Sequence, residues 1–274
     1  MATNATQVLL TRTLERQLRQ QQLANQIANR RYEGDITGPE DTVKILVPQA
    51  ANVTDHVPGT QTTIQTNVDA TPATMPMDHA KDFAFLLDGA ENLEQFAEEF
   101  AGETFAEVLE EADKFILTNA SSAGNTFDFD ASVATPDLDE LFGQAREVLD
   151  NEGVPQIDRV AVVPPVVKRL VYKDIKERDT SLGDQTLATG AVGNYYGFRV
   201  FSRPESFFTT TGTGEIESMF GSRFYQTYGD AVVTIQIIND AVGYTGGTVI
   251  QGLHVAGSVL TQPKGWVSPQ ITTP

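Results

Sequence analysis

The chain has no cysteine, which excludes disulfides and thiolate-held metals. It has one tryptophan, and its aromatics offer no platform on which nucleic-acid bases could stack. Its three histidines, His56, His79 and His254, stand far apart and lack the paired spacing of metal ligands. Cations are scarce: 19 Lys and Arg face 37 Asp and Glu, a formal net charge of -18. So acidic a surface repels a phosphate backbone instead of collecting it. No apolar run reaches the length of a membrane span, and the N-terminus shows no secretory hydrophobic region.

Catalytic signatures are missing too. There is no G-x-S-x-G, phosphate loop or dinucleotide fingerprint. The stretch GAVGNYYG (Gly190 to Gly197) precedes a strand instead of opening a helix, so it reads as turn plus strand. The acids Asp128, Asp130, Asp137, Asp139 and Glu140 lack the spacing and the glycine of a calcium loop, and read as a solvated surface. No cofactor, metal or catalytic residue is nominated.

What remains is an ordinary globular balance, 40% hydrophobic and 20% charged over 274 residues, enough for one large domain or two modest ones. The clearest periodic signal runs from Glu91 to Asn119. Leu93, Phe96, Ala97, Phe100, Val108, Leu109, Ala112, Phe115 and Ile116 draw one apolar helical stripe. Phe105 falls beside it, and Glu94, Glu98, Glu103, Glu107, Glu110 and Asp113 fill the other face. At ~1.5 Å per residue the helix is roughly 40 Å long. Gly102 is its natural bend point.

Residues Met1 to Tyr32 form a thin basic arm: Arg12, Arg16, Arg19, Arg30 and Arg31 face the lone acid Glu15. With few large apolar residues, the arm must lie on its own chain or on a neighbour. Gly34 to Pro39 is a turn cluster. Short β-prone segments follow at Thr42 to Val47, Val53 to Val57, Thr60 to Val68 and Lys81 to Leu87, split by prolines. Thr62, Ile64 and Thr66 alternate with polar residues, so that ribbon has no strongly apolar face and needs a partner surface. Thr135-Pro136-Asp137 reads as a helix start for Asp137 to Asn151. RVAVV (Arg159 to Val163) reads as a strand buried on both sides. Pro164-Pro165 opens a helix over Val166 to Ile175, Asp179 to Gly193 reads as a mobile loop, and Tyr196 to Ser202 as a strand. From Ile216 the chain is β-rich, with strands over Ser218 to Tyr225, Ala231 to Ile238 and Gly247 to Val255. The class is α+β. Arm and ribbon would order many residues while burying little apolar area, which suits segments lying across an adjacent subunit, where strand edges pair and Arg meets acid. Removal of Met1 to Tyr32 is therefore expected to leave a folded subunit that no longer builds closed shells.

The order of these parts resembles the major capsid protein of tailed bacteriophages, the Hong Kong phage type of fold. RVAVVPPVVKRL (Arg159 to Leu170), GAVGNYYGFRVFSRP (Gly190 to Pro204) and GGTVIQGLHVAGSVLTQPKGW (Gly246 to Trp266) are the most similar stretches. The resemblance implies an α+β phage capsid-type fold with five parts: an N-terminal arm (1–33), an extended β-ribbon loop (34–80), a peripheral lobe with a long spine helix (81–126), an α/β axial lobe (127–208), and a β-rich return completing both lobes (209–274). It implies a structural protein, not an enzyme, that self-assembles into an icosahedral shell around double-stranded DNA. The implied partners are copies of itself in hexamers and pentamers, with scaffolding, portal and decoration proteins and DNA held without sequence-specific binding. No membrane is involved. The implied location is the virion, assembled in the host cytoplasm. The residues implied at intersubunit contacts are Arg12, Arg16, Arg19, Arg30, Arg31, Thr62, Ile64, Thr66, Leu182 and Gly183. Lys44, the lone lysine of the ribbon, sits away from its tip, so lysine–asparagine cross-linking is not carried over. No scaffolding-length extension is expected before the arm, and a separate scaffold or none stays open. Two other readings stay open: an encapsulin-like compartment subunit of the same fold, and an α/β hydrolase with an unrecognised site.

Overall fold

The computed structural model describes residues 22–31, 42–47, 55, 58–59, 71–87, 93–177, 193–239 and 248–273, with side chains for all but a few of them, residues 93–103 among these. In chain order the elements are α1 (Ala24–Ile27), β1 (Thr42–Val47), β2 (Thr71–Pro76), β3 (His79–Leu87), α2 (Leu93–Leu117), β4 (Asn125–Asp130), α3 (Gln144–Asn151), β5 (Arg159–Val163), α4 (Pro165–Glu177), β6 (Asn194–Tyr195), β7 (Phe198–Ser202), β8 (Ile216–Glu217), β9 (Met219–Ser222), β10 (Gln226–Asn239), β11 (Thr248–Leu260) and β12 (Trp266–Thr272). The mixture is α+β, as the sequence reading expects.

The main core lies on a seven-stranded mixed sheet of order β4-β12-β9-β5-β7-β6, with β8 paired to β12. All five residues of β5 are buried, as expected of a continuous apolar strand. Two parallel crossovers, β4 to β5 through α3 and β5 to β7 through α4, build the helix layer over this sheet. Phe142 centres an aromatic cluster there, 4.9 Å from Tyr195, 5.2 Å from Phe220 and 6.3 Å from Phe198. Trp266 is fully buried. Gly221 lies against it so closely that a Cβ would stand 2.5 Å from both the indole and the Gly265 carbonyl oxygen.

A second sheet, β10-β11-β3, is antiparallel, and α2 packs on one face of it through Phe105 and Leu109 against Ile235 and Ile250. The base of the ribbon, β1 paired with β2, closes a third small core of Val43, Ile45, Met75 and Met77 on Val255 of β11.

α2 runs without a break through Gly102. Several sequence expectations are corrected. Phe105 is not beside the stripe but buried, and Asp113 is not on the solvent face but only 5% exposed. The strand TPATMP was missed because Pro72 and Pro76 argue against one. Their shared parity lets both nitrogens face away from β1, where no ladder bond is needed. Helix entry near 138 is capped by Asp137, whose Oδ1 accepts the Asp139 N–H at 2.9 Å, and not by Thr135. A π turn over Asp139–Gly143 then leads into α3. Tyr196 is not in the strand. With Gly197 it forms a two-residue turn, both at positive φ (50° and 86°), that joins β6 to β7. Most of Val53 to Val57, all of Thr60 to Val68, and the loop Asp179 to Gly193 up to residue 192 lie outside the described residues.

Candidate functional site

The arm segment 22–31 is inserted into the subunit's own core. Leu23, Ala24, Ile27 and Ala28 are at most 1% exposed. Small residues allow this: Ala24 and Ala28 let the single turn of α1 approach the sheet closely, and Leu23 and Ile27 supply the apolar bulk. Asn29 extends the contact by pairing alongside β10. Its N–H donates to the Gln226 carbonyl at 2.8 Å, and the Tyr228 N–H donates to its carbonyl at 3.0 Å.

Two carboxylates hold the ends of this segment. Asp113, on α2, accepts the Leu23 N–H at 2.8 Å on Oδ1 and the Arg203 Nε–H at 2.9 Å on Oδ2. Burial pushes the Asp113 carboxyl up from its ordinary value, while the Arg203 charge and the Leu23 N–H pull it back. At the other end Arg30 pairs with Asp230 of β10 and reaches Asn25 and Gln22. Its guanidinium also lies 5.6 Å from the centre of the Tyr228 ring. The Gln22 amide donates to the Tyr228 hydroxyl at 2.6 Å. The second Asp230 oxygen lies 3.3 Å from His254 Nε2. Burial, with the Arg30 charge behind it, holds His254 down to about 4, so the ring is neutral near pH 7. Arg30 has already compensated Asp230, which is why a carboxylate contact does not raise this histidine.

Among the residues expected at intersubunit contacts, Arg30 is therefore engaged within its own chain. The exposed Arg31 follows it, its N–H on the Asn29 side chain at 3.0 Å. Arg12, Arg16, Arg19, Thr62, Ile64, Thr66, Leu182 and Gly183 lie outside the described residues. Sequence reasoning missed Asp113, Asp230, His254 and Tyr228. One signal was available: Asp113 stands four residues after Leu109 and three before Ile116, a charge in the apolar stripe.

The ribbon base is a second docked element. Val43 and Ile45 point inward while Lys44 and Leu46 are exposed. At Gly257 of β11 an added Cβ would meet Met77 Sδ at 2.5 Å and the Pro76 carbonyl at 2.6 Å. Among the described residues no group of three His, Asp or Glu could hold a metal ion, and no helix is long and apolar enough to cross a membrane.

No sequence-family profile and no curated protein sequence matches the chain. Solved structures do. A chain from Mycobacterium phage Che8 superposes with a TM-score of 0.67 at 22% identity, covering 91% of each chain. One from the capsid of the cyanophage P-SCSP1u gives 0.62 at 16% identity over 87% of this chain and 85% of that one. One from a virus-like particle of Pyrococcus furiosus gives 0.57 at 9% identity over 97% and 99%. The chain has the Hong Kong phage-type capsid fold.

Proposed function

We propose that this chain is a shell subunit that self-assembles into the icosahedral capsid of a tailed phage around double-stranded DNA. The observation that carries the reading is the extent of the likeness: 91% of this chain superposes on 91% of the Che8 phage chain. In this reading residues 1–33 are the arm, 34–80 the extended loop, 81–126 the spine of the peripheral lobe, 127–208 the axial lobe, and 209–274 the return through both. The arm beyond its anchor, with Arg12, Arg16 and Arg19, reaches onto the acidic surface of a neighbour. The loop tip with Thr62, Ile64 and Thr66 pairs with another copy, and Leu182 and Gly183 meet symmetry mates around an axis. Hexamers and pentamers form the shell, with portal, scaffolding and decoration proteins as further partners. The role is structural, not enzymatic, in a virion put together in the host cytoplasm.

Negative-stain electron microscopy of the expressed protein tests this, and closed shells are the expected result. A monomer at every concentration in light scattering would sink the proposal. The likeness to the Pyrococcus furiosus particle keeps a compartment subunit as the second reading. Shells holding a protein cargo and no nuclease-protected DNA, when isolated from the native source, would favour that one.

A further inference from the structure

The helix layer over the seven-stranded sheet is split by charge. In α4, Val167 and Val171 are fully buried and set the inner face. At about 100° per residue, Arg169, Lys173 and Lys176 fall on the opposite side, and all three are exposed. Lys168 flanks them, its ammonium 5.6 Å from the centre of the Tyr172 ring. Among the described residues none of these four makes an ion pair. Four unpaired cations on one helix stand out in a chain of net charge -18.

The neighbouring half of the layer has the opposite sign. The chain steps from β4 to β5 and from β5 to β7 in the same direction across the sheet, with the strands parallel. Right-handed crossovers then place α3 and α4 on one side of the sheet. A cavity of about 310 Å³, lined by Asp137, Asp139, Lys173, Asp174 and Tyr195, marks where the two halves meet. At its rim Asp137, Asp139 and Glu140 are all exposed, and none makes an ion pair among the described residues.

We propose that this layer is a docking surface for a second copy of the chain, the cationic stripe of one copy seated on the acidic flank of the next. Like halves repel, so the surface selects one orientation of the incoming copy. Repeated from copy to copy, a contact that joins two different patches runs head to tail, and it makes a ring where its rotation closes. A nucleic-acid backbone is the rival occupant of the stripe. It is disfavoured because the adjoining acids would face the same phosphates.

The proposal rests on the shell-subunit reading and is tested so that the two can fail separately. The variants use side chains with no hydrogen bond of their own to lose: Arg169→Glu with Lys176→Glu on the stripe, and Asp139→Lys with Glu140→Lys on the flank. Each pair alone should lower shell yield at least tenfold while the free subunit keeps its circular dichroism and melting temperature. All four changes together restore opposite signs and should recover shells. Wild-type yield from either pair, or a four-fold variant no better than the pairs, overturns the docking surface and leaves the function standing. Duplex DNA binding lost in the stripe variant while its shells form normally also overturns it, in favour of nucleic acid. Failure of the wild-type chain to assemble overturns both readings.

Discussion

Acidification tests the anchor of the arm. His254 is 1% exposed and its folded pKa lies at about 4, against an ordinary histidine value of about 6.5. Between those two values the unfolded chain binds a proton that the folded chain does not. Unfolding is therefore favoured as pH falls through that window, and the stability contributed by neutral His254 is complete only above about pH 6.5. At 1.36 kcal/mol per pKa unit the loss is about 3 kcal/mol by pH 4 and about 2 kcal/mol by pH 5. That is a large share of the roughly 5–15 kcal/mol holding a domain together. The groups facing the ring are Asp230 on β10 and Arg30 of the arm, with His79 of β3 coupled more weakly. His79 is itself held low, by burial first and then by Lys81, so it adds to the slope with the same sign. The measurement is therefore a difference: urea midpoints of the wild type and of His254→Gln at pH 7 and pH 5. The variant should lose about 2 kcal/mol less than the wild type over that interval. Equal slopes would refute the reasoning, since the buried ring would then play no part in acid sensitivity.

Ile27→Ala should cost about 2–5 kcal/mol in urea denaturation, because the side chain is fully buried under the sheet; an unchanged midpoint would place the arm segment off the core. Gly257→Val should destabilise by about 1–3 kcal/mol by forcing Met77 and the Pro76 carbonyl away from β11, and a protein of native stability would show that the ribbon base does not rest there. Arg30→Met strands Asp230 in the interior and should cost about 3–5 kcal/mol, read from the same melts. Removing residues 1–21, or exchanging Arg12, Arg16 and Arg19 for Glu, should leave a folded subunit that forms no closed shells; regular shells at wild-type yield would dismiss the arm as a clamp between subunits.

The long helix was legible because twenty-five residues repeat one period, and β5 because an unbroken apolar run has few other uses. The failures share a cause: local pattern does not reveal which neighbour arrives. Asp113 read as solvent-facing because nothing in α2 shows that Leu23 and Arg203 will meet it. β2 went unseen because its partner β1 lies far back in the chain and its prolines mask the ladder. Whether the arm lies on its own chain or on a neighbour stayed open because Ala24 and Ala28 count for little in a search for large apolar residues, yet their small size is what lets the backbone settle. The expectation that the subunit still folds without Met1 to Tyr32 is thus corrected to a cut before residue 22. The helix start at 138 was misplaced by two residues because Asp137 and Thr135 are both good caps.

The pairing of residues 22–31 with Tyr228 and Asp230 also sets a clock. Gln22 and Tyr228 are 206 positions apart, Arg30 and Asp230 are 200 apart, and His254 comes later still. At roughly 5–20 residues per second the arm waits on the order of ten to forty seconds after its own synthesis before its site exists. A chain cut short by premature termination before β10 or β11 never offers that site. Its N-terminus stays undocked, and the fragment is left to proteases. The joint thus ties the setting of residues 22–31 to the synthesis of β10 and β11.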